Sequence, residues 1–130
     1  QIGSIYYEQK SNNIVTVSKA KEALKYDESN GAAYILMALA YADASANCGE
    51  NDFQHSAVYW VAVDKLQMAK KVDPSVADKA QQLISAYSQR FPNNEDEFMF
   101  GNVENGDSYS FYDVKKCWIK ETTTVRTRKR

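Results

Sequence analysis

Residues that break regular structure are scarce in this 130-residue chain, which has two prolines, Pro74 and Pro92, and five glycines. That scarcity leaves long stretches free to remain helical and excludes collagen-like or flexible-linker composition. His55 is the single histidine, and Cys48 and Cys117 are the only cysteines, with no CxxC spacing. A zinc site of three or four protein ligands therefore has too few soft ligands. No apolar run approaches the roughly 18 to 20 residues that cross a bilayer, and no charged, apolar, small-residue signal pattern opens the chain. The chain begins at Gln1 without a methionine, inside a helical pattern, so it is expected to be a processed or truncated piece with its targeting segment upstream. Phosphate-cradling glycine loops, G-x-S-x-G, H-E-x-x-H and calcium-loop patterns are also missing.

What is present is ordinary globular composition, 44% hydrophobic and 25% charged, enough for one modest domain with a real core. The formal charge is −1. Without Arg126, Arg128, Lys129 and Arg130 the chain keeps 12 basic residues against 17 acidic ones, a balance of about −5, so a nucleic-acid surface on the body is disfavoured.

Internal repetition is the main organising signal. In "AVYWVAVDKLQMAKKVDPS" the residues Ala62, Leu66, Ala69 and Pro74 fall at steps of four, three and five, and Thr16, Ala20, Ala23 and Glu28 repeat those steps upstream. Tyr34, Met37, Ala38 and Tyr41 form a second set, matched by Ala80, Leu83, Ile84 and Tyr87 and, in part, by Ile2, Gly3 and Tyr6. Small residues at Gly3, Ala38, Ala62 and Ala69 allow helix axes to approach closely, while Tyr6, Tyr41, Leu66 and Tyr87 fill the space between them. Between Phe53 and Val72 apolar residues occupy two faces, so that helix needs neighbours on two sides.

Over about residues 1 to 90 this pattern resembles the tetratricopeptide repeat, a helix-turn-helix unit of about 34 residues. The resemblance implies a mainly α fold, a helical-repeat (α-α) superhelix of about five helices, and the residues beyond it read as a short helix and a C-terminal β-hairpin. The expected layout is helical repeats over 1–104, a hairpin cap over 105–126 and a basic tail over 127–130. "YDESNG", "DPS" and "FPNN" punctuate the helices, with Asn30 a candidate N-cap. One interval departs from the repeat. The turn near 43–54, in "DASANCGENDFQ", is about 12 residues too long for the family, and a loop of that kind is expected to be pinned rather than functional.

After Pro92, "NNEDEFMF" reads as a short amphipathic helix with an acidic first turn at Glu95, Asp96 and Glu97, and with Phe98, Met99 and Phe100 packing against Tyr87. The following stretch turns to strand chemistry, with Asn105 and Gly106 as a turn signal and a hairpin expected to pair about 107–114 with 117–125. This hairpin should lie against the last helices and cap the array. Its strand "CWIKETTTV" would turn Cys117, Ile119, Thr123 and Val125 inward, with Glu121 at an edge or in need of a partner, while "RTRKR" reads as a solvated tail. The cysteines read from sequence alone as two free thiols or as a disulfide between the C-terminal segment and the expanded loop. The stretches "CWI-x-E-T-T-x-R" and "YW-x-A-V-D-K" resemble those of exported bacterial tetratricopeptide proteins. That resemblance favours a Cys48–Cys117 bridge, a periplasmic or otherwise exported location over a cytoplasmic one, and an interaction module without catalytic residues.

The favoured function is thus a non-catalytic protein-protein interaction or scaffold module. Neither a cofactor nor a metal is expected, and the partner is an unidentified protein or peptide. By analogy with tetratricopeptide arrays, the partner surface projects onto Tyr7 of the first pair, onto Ala32, Ile35 and Leu39 of the second, and onto Asp78, Gln81, Ser85 and Ser88 of the third. Ile35 and Leu39 are expected to be buried before they are available as a groove, and the lysine, arginine and asparagine of a terminal-carboxylate clamp are missing from these positions. Two alternatives carry sequence features of their own. One is a small-ligand or enzymatic site in the 43–56 loop using Cys48, Asp52 and His55, with Ser56 adjacent. The other is nucleic-acid binding by the basic tail.

Overall fold

The computed structural model describes the backbone of residues 2–92 and 106–126, with side chains from residue 12 onward. The expected short helix at "NNEDEFMF" and the final four residues lie outside that range, as does the side chain of Tyr7. Among the described residues the fold is mainly helical, with one small two-stranded antiparallel sheet.

Helix α1 runs unbroken over Ile2–Tyr26. The repeat pattern predicts a helix-turn-helix pair here, and one continuous helix replaces it. Residues 8–13 carry neither proline nor glycine, and Asn13, the residue best suited to a turn, donates its side-chain amide to Asp43 across 2.8 Å rather than bonding to its own backbone. Helix α2 spans Gly31–Ala44 and starts at the expected Asn30 cap, whose side-chain oxygen accepts from the Ala33 N–H at 3.1 Å. A 3-10 turn, Ser45–Asn47, leads into the expanded loop. Helix α3 covers Asp52–Val72 and is capped by Asn51, which accepts from the Gln54 N–H at 2.8 Å. Asp73 then ends α3 and caps the turn Pro74–Val76, with one carboxylate oxygen on the Ser75 N–H at 3.1 Å and the other on the Gly31 N–H at 3.3 Å. Helix α4 occupies Ala77–Ser88.

Each helix packs chiefly on its neighbour in sequence, α1 on α2, α2 on α3 and α3 on α4. The two-sided burial of α3 is complete at Ala57, Val58, Trp60, Ala62, Leu66 and Ala69, as its apolar pattern requires. Small residues permit close approach where it is needed. A Cβ added at Gly31 would come within 2.6 Å of both the Asp73 Cβ and the Val76 Cγ2, because the start of α2 abuts the turn before α4.

The C-terminal segment differs from a simple hairpin. Strand β1 (Ser108–Ser110) pairs with β2 (Thr122–Thr124) in the register Ser108↔Thr124, Tyr109↔Thr123 and Ser110↔Thr122. Residues 111–121 bulge out between them. Phe111 and Ile119 are buried in the core shared with the helices, Lys116 takes a left-handed φ of 62°, and Cys117 forms a disulfide with Cys48. Burial and the covalent link outweigh the continuation of strand pairing. The segment also lies elsewhere than expected: β2 packs on α3, and Trp118 stacks on Tyr41 of α2 with ring centroids 5.7 Å apart. It acts as a strap across the middle helices, which offer the large apolar side chains Tyr41, Phe53 and Trp60. Tyr109 of β1 meets Phe53 and Trp60 edge-on, at 6.0 and 5.5 Å.

Candidate functional site

Two polar clusters lie where the strap crosses the helices. Glu121 receives the Tyr41 hydroxyl at 2.6 Å and the Lys65 ammonium at 3.1 Å, with Lys21 of α1 at 3.4 Å. One strap carboxylate is thereby joined to three helices. Burial pushes Glu121 up, yet the bond from Tyr41 and the charges of Lys65 and Lys21 outweigh it and hold the carboxyl below its ordinary value. Tyr41 is driven well above the usual phenol range by burial first and by Glu121 second.

The second cluster surrounds Arg126. Its guanidinium reaches Asp64 at 2.7 Å, the Trp60 carbonyl at 2.9 Å and Thr123 Oγ1 at 3.0 Å, while Thr123 donates its hydroxyl proton to Asp64. The Trp60 indole N–H closes the ring by donating to the Arg126 carbonyl at 2.6 Å, and the guanidinium also lies over Phe91 at 5.6 Å. Arg126 is thus anchored and belongs to the strap rather than to the solvated tail in which the charge run would place it. The stretches "YW-x-A-V-D-K" and "CWI-x-E-T-T-x-R" meet here, since Trp60, Asp64 and Lys65 bond to Glu121, Thr123 and Arg126.

The expanded loop is pinned. Cys48 and Cys117 form the disulfide, the Gly49 N–H donates to the Lys116 carbonyl at 3.3 Å, and the Gln54 side chain accepts from the Glu50 N–H at 2.6 Å. Of the residues drawn there as a site, Cys48 is oxidised, Asp52 is fully exposed, and His55 lies 4.0 Å from Asp52 and 3.4 Å from the Gly49 carbonyl. The structure brings them near one another but leaves no free thiol beside a base. Among the described residues no group of three or more His, Cys, Asp or Glu side chains is placed to hold a metal, and no helix is long and apolar enough to cross a membrane.

The projected partner residues separate. Ile35 is buried, whereas Ala32, Asp78, Gln81 and Ser85 are exposed and Ser88 is half-buried. Leu39 stays 37% exposed and its neighbour Leu36 reaches 50%. Sequence reasoning missed Leu36 because the inward and outward sides of α2 are both apolar. A second feature is an open groove of about 410 Å³ beside Lys21, Leu24, Lys25, Tyr34, Met68 and Val72, contributed by α1, α2 and α3. The spacing of Lys21 and Lys25 was the available signal for it.

No family model, curated protein or solved structure matches this chain.

Proposed function

We propose that this chain is a non-catalytic protein-interaction module built from tetratricopeptide-like helical units and closed by its C-terminal strap. The observation that carries the reading is the exposed apolar row on α2. Ala32, Leu36 and Leu39 recur at helical spacing on its outer side, and Asp43 continues the same row. Exposed apolar surface grouped in this way marks contact with another molecule. Several groups with reactive or ionic potential are engaged elsewhere: Cys48 in the disulfide, and Asp64, Lys65, Glu121 and Arg126 in holding the strap. A disulfide at Cys48–Cys117 suits an oxidising, exported compartment.

Affinity capture with chemical cross-linking in the native cell tests the reading. The double substitution Leu36→Lys, Leu39→Lys is expected to lose the captured protein while keeping the near-ultraviolet circular dichroism of the parent. Retention of the same protein by the variant would remove α2 as the contact surface.

A further inference from the structure

The strap reveals what kind of chain the opposite side of α2 accepts. Tyr34, Met37, Ala38 and Tyr41 recur on that side, turned away from Leu36 and Leu39. Lys21, Leu24 and Lys25 share one side of α1, and Lys65, Met68 and Val72 share one side of α3. At one end of these rows the strap is in place: Trp118 lies on Tyr41, and Glu121 sits among Tyr41, Lys65 and Lys21. One to two helical turns further along, the same three helices line the open groove of about 410 Å³. Lys21 belongs to both, bonded to Glu121 and bordering the groove. The groove is the unfilled continuation of the trough that the strap occupies.

We propose that this groove binds an extended peptide segment of a partner protein, with an apolar side chain against Leu24, Met68 and Val72 and a carboxylate beside Lys25. The strap, which leaves its turn at Lys115 and Lys116, is neither helix nor turn over residues 117–121 and is strand over Thr122–Thr124, supplies the precedent: a non-helical chain with Ile119 buried, Trp118 on Tyr41 and one carboxylate between lysines. Charge complementarity supports the same occupant. Lys25 has no ion-pair partner among the described residues, although the body as a whole is acidic. Glu28, in the turn that follows α1, also borders the groove and disfavours an acid beside itself. Met68 remains 37% exposed, so the apolar wall is not already covered. This site is independent of the Leu36 and Leu39 surface.

Selection of a displayed random decapeptide library on the full oxidised chain tests the proposal. Enriched peptides are expected to pair apolar with acidic residues, and synthetic copies should bind at least tenfold more weakly to Lys25→Glu and to Met68→Glu, two exposed positions whose substitution should leave the melting temperature unchanged. Binding to Leu36→Lys, Leu39→Lys should be unaffected. An absence of enriched peptides, enrichment of basic ones, or affinities indifferent to Lys25→Glu would overturn it. So would a concentration-dependent dimer abolished by Lys25→Glu in sedimentation, which would assign the groove to a second copy.

Discussion

Burial alone would drive Glu121 toward its neutral form, and only its partners keep it ionised. The bond from Tyr41 and the charges of Lys65 and Lys21 place its folded pKa below the unfolded value of about 4.3. Its stabilisation is therefore complete above that value and is lost as pH falls through the lower folded one. Glu121→Ala, which leaves the Tyr41 hydroxyl and Lys65 without their acceptor, should cost about 2–3 kcal/mol at pH 7. In urea titrations the gap between parent and variant should narrow below about pH 4. A gap that widens with acid would show that the carboxyl is destabilised in the fold. Gly31→Ala should cost about 1–3 kcal/mol by overpacking, because its Cβ meets Asp73 and Val76 at 2.6 Å; a stability within error of the parent would mean that the turn yields freely. The need for a partner at Glu121 was legible in the alternating strand pattern, since a charge on an inward face requires one. Which groups would answer was not, because Lys21, Tyr41 and Lys65 lie on three different helices.

At the scale of elements, local punctuation was easy to read and long-range competition was not. Asn30, Asp73 and Pro74 act within a few residues of themselves, so the start of α2, the end of α3 and the start of α4 followed from sequence. The unbroken α1 did not, because weak turn formers at Ser11, Asn12 and Asn13 only suggest a break. Nor did the short pairing of β1 with β2. Its length depends on where Phe111 and Ile119 find burial and on Cys117 reaching Cys48. That link closes a separation of 69 residues, worth about 4 kcal/mol in a chain-entropy model. Cys48→Ser, Cys117→Ser should therefore lower the urea midpoint substantially, and reductant should do the same to the parent while leaving the double variant unmoved. Asp64→Ala and Arg126→Ala act on one partly exposed network, so a double-mutant cycle should return a coupling of about 1 kcal/mol. Strict additivity would mean that the indole and carbonyl bonds of Trp60 hold Arg126 without Asp64.

For the whole molecule, the strap decides what is inside. Phe111, Ile119 and Val125 are almost wholly buried in one core cluster with Tyr41, Trp60 and Leu66. Removing residues 106–130 should uncover Tyr41 and Trp60 and take away a large part of the roughly 5–15 kcal/mol that a domain holds. The expected result is a markedly lower, broader melt with dye binding to exposed apolar surface, and an unchanged melt would deny the strap its structural role. By itself the sequence determined the mainly helical character of about residues 1 to 90, the two-sided burial of α3 and the change to strand chemistry after Gly106, because periodicity and breakers act over a few residues. The tertiary structure alone decided that α1 is a single helix, that the strap lies on the middle helices, that Arg126 is anchored, and that a half-filled trough runs between α1 and α3. Each of these depends on side chains distant in sequence finding one another, and their free energies arise only once the helices have been brought together.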